Sequence, residues 1–121
     1  MKKPPAPKEI KTHIAIVQWL RTVAPHCIAH HSPNGEIRDK RTAAKLKAMG
    51  VYPGWPDLTI ITPIGRVVFL EIKRAGKKLS PSQEAFRDEC FSRGIPFACV
   101  ESVDQAREAL TMWGVQTREA A

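Results

Sequence analysis

Pro56-Asp57-Leu58-Thr59-Ile60-Ile61-Thr62, then Pro63-Ile64-Gly65, then Arg66-Val67-Val68-Phe69-Leu70-Glu71-Ile72-Lys73 is the stretch that decides the fold. Both arms are rich in β-branched and aromatic residues, and Pro and Gly sit between them. That pattern reads as a strand, a tight loop of about three residues, and a strand. Pairing Thr62 with Arg66 sets Asp57 directly opposite Glu71. Opposed Cβ atoms lie about 4.5–5.5 Å apart, a range at which two anions repel by roughly 3 kcal/mol at an effective dielectric near 20. A divalent cation between them reverses the sign. Lys73, two residues beyond Glu71, leaves the same face of the strand. The hairpin therefore offers two carboxylate ligands for a metal with an ammonium group beside them. The competing reading is a strand start at Asp57 and a solvated strand end at Glu71 and Lys73.

Outward from the hairpin, the chain alternates helix and strand signals. Residues 1–7 form a Pro/Lys-rich lead. Helical spacing of Ile10, Ile14, Val17 and Leu20 or Arg21 predicts a helix from about Lys8 to Val23, stopped by Ala24-Pro25. His26 to His31 reads as a short strand, and Ser32-Pro33-Asn34-Gly35 as a turn. Arg38 to Met49 reads as a basic helix with Ala43, Ala44, Leu46 and Met49 facing inward and Gly50 ending it. Val51 to Pro56 is a loop. Ser80-Pro81-Ser82-Gln83 starts a helix with a Ser cap, Pro at the first helical position and Gln three residues after the cap. That helix ends at Gly94. Phe97 to Val100 is an apolar strand, and Ser102-Val103-Asp104-Gln105 opens a last helix to about Met112. The order predicts one α/β domain with a mixed sheet over residues 8–115, followed by a tail, residues 116–121.

Composition narrows the function classes. The 121 residues, 43% of them hydrophobic, suit one globular core. A net charge of +7 points to a polyanionic partner, nucleic acid or an anionic surface. There is no apolar run of about 18 residues, so no transmembrane helix is expected. Met1-Lys2-Lys3-Pro4-Pro5-Ala6-Pro7 lacks the apolar region of a secretory signal. Cys27, Cys90 and Cys99 are an odd number without C-x-x-C spacing and read as thiols of a reducing, cytoplasmic setting.

Pro56-Asp57, a gap, and Glu71-Ile72-Lys73 match the PD-(D/E)xK nuclease pattern. That short motif is weakly specific. A longer set, Gly50 to Asp57, Phe69 to Lys73 and Leu79 to Gln83, resembles the VRR-NUC family of virus-type replication-repair nucleases. His31-Ser32-Pro33-Asn34-Gly35, Ala44 to Gly50 and Ser102 to Ala106 are similar to it as well. The resemblance covers roughly residues 9–110 and implies a restriction-endonuclease-like αβββαβ core, its mixed central sheet flanked by helices. It implies a metal-dependent endonuclease acting on DNA, in a phage or prophage setting. Some small members resemble Holliday-junction resolvases, which implies branched DNA as substrate and a homodimer.

The resemblance also implies roles. Asp57 and Glu71 would ligate Mg²⁺ or Mn²⁺, hard ions that prefer oxygen donors, with the Ile72 carbonyl completing the set. Lys73 would hold the attacking water or offset developing charge. Gln83 has two candidate roles, a local one closing the capping box on Ser80 and one directed at the metal site. Glu9, the acidic residue of the first helix, shares a face with His13, Ile16 and Leu20 and is either a further acidic group of the site or a solvated first-turn residue. His30 and His31 read as surface or substrate-contacting groups, because no Cys or Asp spacing supports zinc. Trp55 is an aromatic loop anchor or a base-stacking group. Arg38, Lys40, Arg41, Lys45 and Lys47 load one helix. Lys73, Arg74, Lys77 and Lys78 surround the exit of the catalytic strand. These two basic groups form a candidate DNA track. Met112, Trp113 and Val115 offer an apolar end for a two-fold partner, or pack within the monomer. The reading in a different class is a non-catalytic nucleic-acid-binding module that positions DNA for another enzyme. No membrane and no small-molecule cofactor are expected.

Overall fold

The computed structural model describes residues 7–33 and 39–119. Helix α1 (Pro7–Val23) leads into strand β1 (Ile28–His31), helix α2 (Lys40–Ala48), strands β2 (Leu58–Ile61) and β3 (Val67–Ile72), helix α3 (Pro81–Ser92), strand β4 (Phe97–Val100) and helix α4 (Val103–Met112). The four strands form one sheet in the order β1-β2-β3-β4. The first two pairings are antiparallel and β3 pairs β4 in parallel, across the α3 connection. The αβββαβ core expected from the sequence is present, with α2 inserted and α4 appended.

The hairpin register follows the loop chemistry. Leu58 faces Leu70 and Ile61 faces Val67, and Thr62 and Arg66 close the turn through the Thr62 N–H donating to the Arg66 carbonyl at 2.8 Å. Gly65 sits at φ 81°, the left-handed position that a three-residue hairpin loop requires and that glycine adopts without steric cost.

Strand alternation divides the core in two. On one face Leu58, Ile60, Val68, Leu70, Ile72 and Val100 pack under Ile16 and Leu20 of α1 and Ala106, Ala109 and Leu110 of α4. On the other, Phe69 and Phe97 pack against Phe86 and Cys90 of α3. The hairpin's central strand is thus covered on both sides, and every residue of Val68–Ile72 is buried.

Two expectations change. Helix α2 has the predicted period and a good start, with Asp39 accepting from the Thr42 N–H at 2.7 Å, yet none of its residues is buried. Ala43 and Ala44 are exposed, Leu46 is half-buried and Met49 is 71% exposed. The inward face predicted from periodicity joins neither core cluster. The apolar end of the chain is also largely spent within the monomer. Val115 is buried in the α1/α4 core and Trp113 packs on it, while the Trp113 carbonyl accepts from Arg66 Nη1 at 2.7 Å. Only Met112 of that trio is exposed, at 81%. Residues beyond it are tied back, with the Arg118 N–H on the Val23 carbonyl and Glu119 chelated by Arg107. No helix of the described residues is long and apolar enough to cross a membrane.

Candidate active site

The site lies at the open end of the hairpin, where β2 begins and β3 ends. The loop before Asp57 is clamped. Pro56 is fully buried, and the Trp55 indole N–H donates to Thr59 Oγ1 at 2.9 Å. The Trp55 ring packs against Phe69, Phe86 and Tyr52, with centroids 5.4, 4.8 and 6.3 Å away. It is therefore an anchor, the more ordinary of its two sequence readings. Gly54, at φ +78°, presses on the start of α3 so closely that a Cβ there would meet the Ser82 carbonyl oxygen at 2.3 Å. The loop bearing Asp57 and the N-terminus of α3 are thereby fixed to each other.

The regular ladder stops at Leu58–Leu70. One step further, Asp57 turns its side chain inward, and Oδ2 accepts the Ile72 backbone N–H at 2.8 Å. A carboxylate replaces the backbone partner that a longer strand would have supplied, so Asp57 is oriented by the strand that carries Glu71. Glu71 is 3% exposed, and its Oε2 is buried with no hydrogen-bond partner among the described residues. Burial, then a hydrogen bond with Asp57 and its charge, push the Glu71 carboxyl up to about 10; Lys73 pulls it down and Glu9 pushes it further up. Glu9 is half-buried, and its charge is the smallest of the influences that reach Glu71.

Asp57, Glu71, Lys73 and the Ile72 backbone thus converge, and α1 adds Glu9. Gln83 behaves differently. Its Oε1 accepts from the Ser80 N–H at 2.8 Å while Ser80 Oγ accepts from the Gln83 N–H at 3.3 Å, so its carbonyl oxygen is used in the capping box. The basic groups Arg41, Lys45, Arg74, Lys77 and Lys78 are exposed, and none enters an ion pair among the described residues. Arg38 and Asn34 lie outside those residues.

The sequence reading left His31 as a surface or substrate-contacting group and gave His13 no role of its own, and the structure brings the two together. His13 of α1 and His31 at the end of β1 meet edge to face, with ring centroids 4.5 Å apart at 88°. With Asp57 they place their ligand-type atoms within 4.8 Å of one another. The signal was present for His13, one helical turn after Glu9. For His31 it was not, since its partner Asp57 is 26 residues away. Cys99 is the β4 residue opposite Glu71; its residue surface is exposed, while partial desolvation of the thiol, followed by the Glu71 charge, raises it to about 11.

The VRR-NUC domain model matches residues 8–104. Among solved structures, one described as a VRR_NUC domain protein superposes with a TM-score of 0.70 at 22% identity, over 91% of this chain and 90% of that one. A second, described as a VRR_NUC domain, gives a TM-score of 0.64 at 21% identity, over 89% of this chain and 99% of that one. No curated protein matches the chain. At these identities the structural likeness speaks for the fold.

Proposed function

This chain belongs to the VRR-NUC family of nuclease domains, and from that premise we propose that it is a divalent-metal-dependent endonuclease hydrolysing DNA phosphodiester bonds. The observation that carries the reading is Glu71 Oε2, buried without a partner on a carboxyl pressed against Asp57. A buried polar atom left unpaired costs roughly 1–3 kcal/mol, more when charged. A cation bound between the two groups removes that cost and the repulsion together. The donors suit Mg²⁺ or Mn²⁺, both oxygen-seeking ions. Asp57, Glu71 and the Ile72 carbonyl would hold the ion. When bound, such an ion neutralises charge on the scissile phosphate and acidifies a water.

The chain's own groups supply the rest. The Lys73 ammonium, half-buried beside Glu71, orients the nucleophile and offsets charge as it develops. Asp57 is held by the Ile72 N–H, so its position costs little reorganisation when substrate arrives. Glu9 contributes negative charge from the side of α1. Gln83 can direct only its amide nitrogen toward the site while the capping box stands. Arg41, Lys45, Arg74, Lys77 and Lys78, with Arg38, form the proposed phosphate track.

Branched DNA and a two-fold pair of chains remain part of the proposal, since one site cuts one strand per encounter. Sedimentation near twice the chain mass of 13.5 kDa is the check on the pair. The decisive experiment incubates the protein with linear, flapped and four-way-junction DNA, with and without Mg²⁺ or Mn²⁺. Cleavage should require the ion and disappear in Asp57→Ala, Glu71→Ala and Lys73→Ala. Full activity in Asp57→Ala overturns the mechanism; binding without cleavage under every condition returns the chain to a DNA-positioning module.

A further inference from the structure

Beside the all-oxygen pair of Asp57 and Glu71 lies a second donor set of different chemistry. His13 comes from α1, His31 from the end of β1 and Asp57 from the start of β2. Their imidazole and carboxylate atoms fall within 4.8 Å of one another, a spacing that a single ion can bridge after small side-chain rotations. His31 Nδ1 lies 2.8 Å from the Asp57 carbonyl oxygen. A carbonyl can only accept, so Nδ1 carries the proton and Nε2 is left with its lone pair. An imidazole whose other nitrogen donates to a backbone carbonyl is the usual arrangement of a metal-ligating histidine, because the second bond fixes tautomer and ring plane. The two rings meet edge to face with centroids 4.5 Å apart, so both imidazoles share one patch beside Asp57. His13 and Asp57 are half-buried and His31 is exposed, so the set is open on one side for water or substrate.

We propose that His13, His31 and Asp57 form a second cation site, which takes a borderline transition-metal ion such as Co²⁺ or Zn²⁺. Two imidazoles and one carboxylate with an open position are the donor count of several catalytic metal sites. Nitrogen donors disfavour Mg²⁺ and favour the later first-row ions, in the order Mn²⁺, Co²⁺, Zn²⁺. Asp57 is common to both donor sets. An ion held by the histidines therefore acts on the carboxylate that the proposed nuclease centre uses, either by sharing it or by competing for it.

The test uses tag-free, metal-free protein without DNA, so its outcome is independent of whether the chain cleaves DNA. Co²⁺ is titrated and read by its visible absorption and by calorimetry. His13→Gln and His31→Gln should each weaken Co²⁺ binding roughly 10- to 100-fold, the range that even outer-shell changes around a metal reach. His30→Gln should keep the Co²⁺ spectrum, because the residue sits on the opposite face of β1. In the unmodified protein, substoichiometric Co²⁺ should carry the ring resonances of His13 and His31 far outside the diamagnetic range by through-bond contact, which an ion held by Asp57 and Glu71 alone does not do, and leave those of His26 and His30 in place. That measurement decides the matter even where a variant fails to fold. Co²⁺ affinity in both histidine variants equal to that of the unmodified protein, or His13 and His31 resonances that broaden without such a contact shift, overturns the proposal.

Discussion

Glu71 bears an electrostatic load that no other strand residue of the described chain shares. It is buried, it faces a second carboxyl group, and Lys73 compensates it only in part. Its carboxyl is raised to about 10 from an unfolded value near 4.5, so between those two values the folded protein holds a proton that the unfolded chain has released. By linkage, that contribution to stability is complete below about pH 4.5 and declines as pH rises toward 10. Metal-free wild type should therefore melt at falling temperature from pH 5 to pH 9. Glu71→Gln keeps the shape without the titration and should flatten that slope, raising the melting temperature most at the alkaline end. Added Mg²⁺ or Mn²⁺ should stabilise wild type more as pH rises and leave Glu71→Gln little changed. Differential scanning calorimetry across pH, with and without the ion, reads all three outcomes; parallel curves for the two proteins would refute the account of Glu71.

Helix α3 shows how an element serves fold and site together. Its capping box closes through Ser80 and Gln83, and its first turn is the surface on which Gly54 rests. Gly54→Ala would place a Cβ against backbone at 2.3 Å and force an L-residue to positive φ, which alone costs about 1–2 kcal/mol. Loss of about 2 kcal/mol or more is expected, a melting-temperature drop of roughly 5 °C or greater. Cleavage should suffer beyond the stability loss, because Asp57 is three residues on. Gln83 separates the two functions of the same turn. Gln83→Glu preserves the capping box and adds a favourable negative charge at the helix N-terminus. Stability should hold or rise, while the extra carboxylate shifts the metal dependence of cleavage if the amide nitrogen serves the site. Identical metal titrations for wild type and Gln83→Glu would leave Gln83 a capping residue only. Helix α2 makes the converse point, with sound local signals and no buried face, so its basic residues are free for a partner.

Across the whole molecule, the exposed lysines and arginines at the exit of β3 and along α2 set the expected salt response. Removing one cation that neutralises a phosphate should lower the dependence of log K on log salt by about 0.9 for duplex DNA. Reversing Lys77 and Lys78 to Glu should weaken binding to all DNA sequences alike and flatten that slope by roughly 1 to 2, measured by fluorescence anisotropy between about 50 and 200 mM salt. Affinity that ignores ionic strength would remove the basic track from the proposal. By itself the sequence determined the hairpin, its register and the convergence of Asp57, Glu71 and Lys73, because strand alternation and a three-residue loop are local rules that act over fewer than twenty residues. It likewise fixed the caps of α3 and α4, each written within four consecutive residues. The tertiary structure alone decided which apolar faces are covered. Helical periodicity marks Ala43, Ala44 and Met49 as a face, but only the tertiary structure shows that no layer covers it. Only packing showed that Trp113 and Val115 are spent inside the monomer, and that the Asp57 carboxylate closes on the Ile72 amide. The meeting of His13, His31 and Asp57 is of the same kind. His31 and Asp57 are 26 residues apart and come together there with His13 through sheet order and helix docking, and no local rule carries that information.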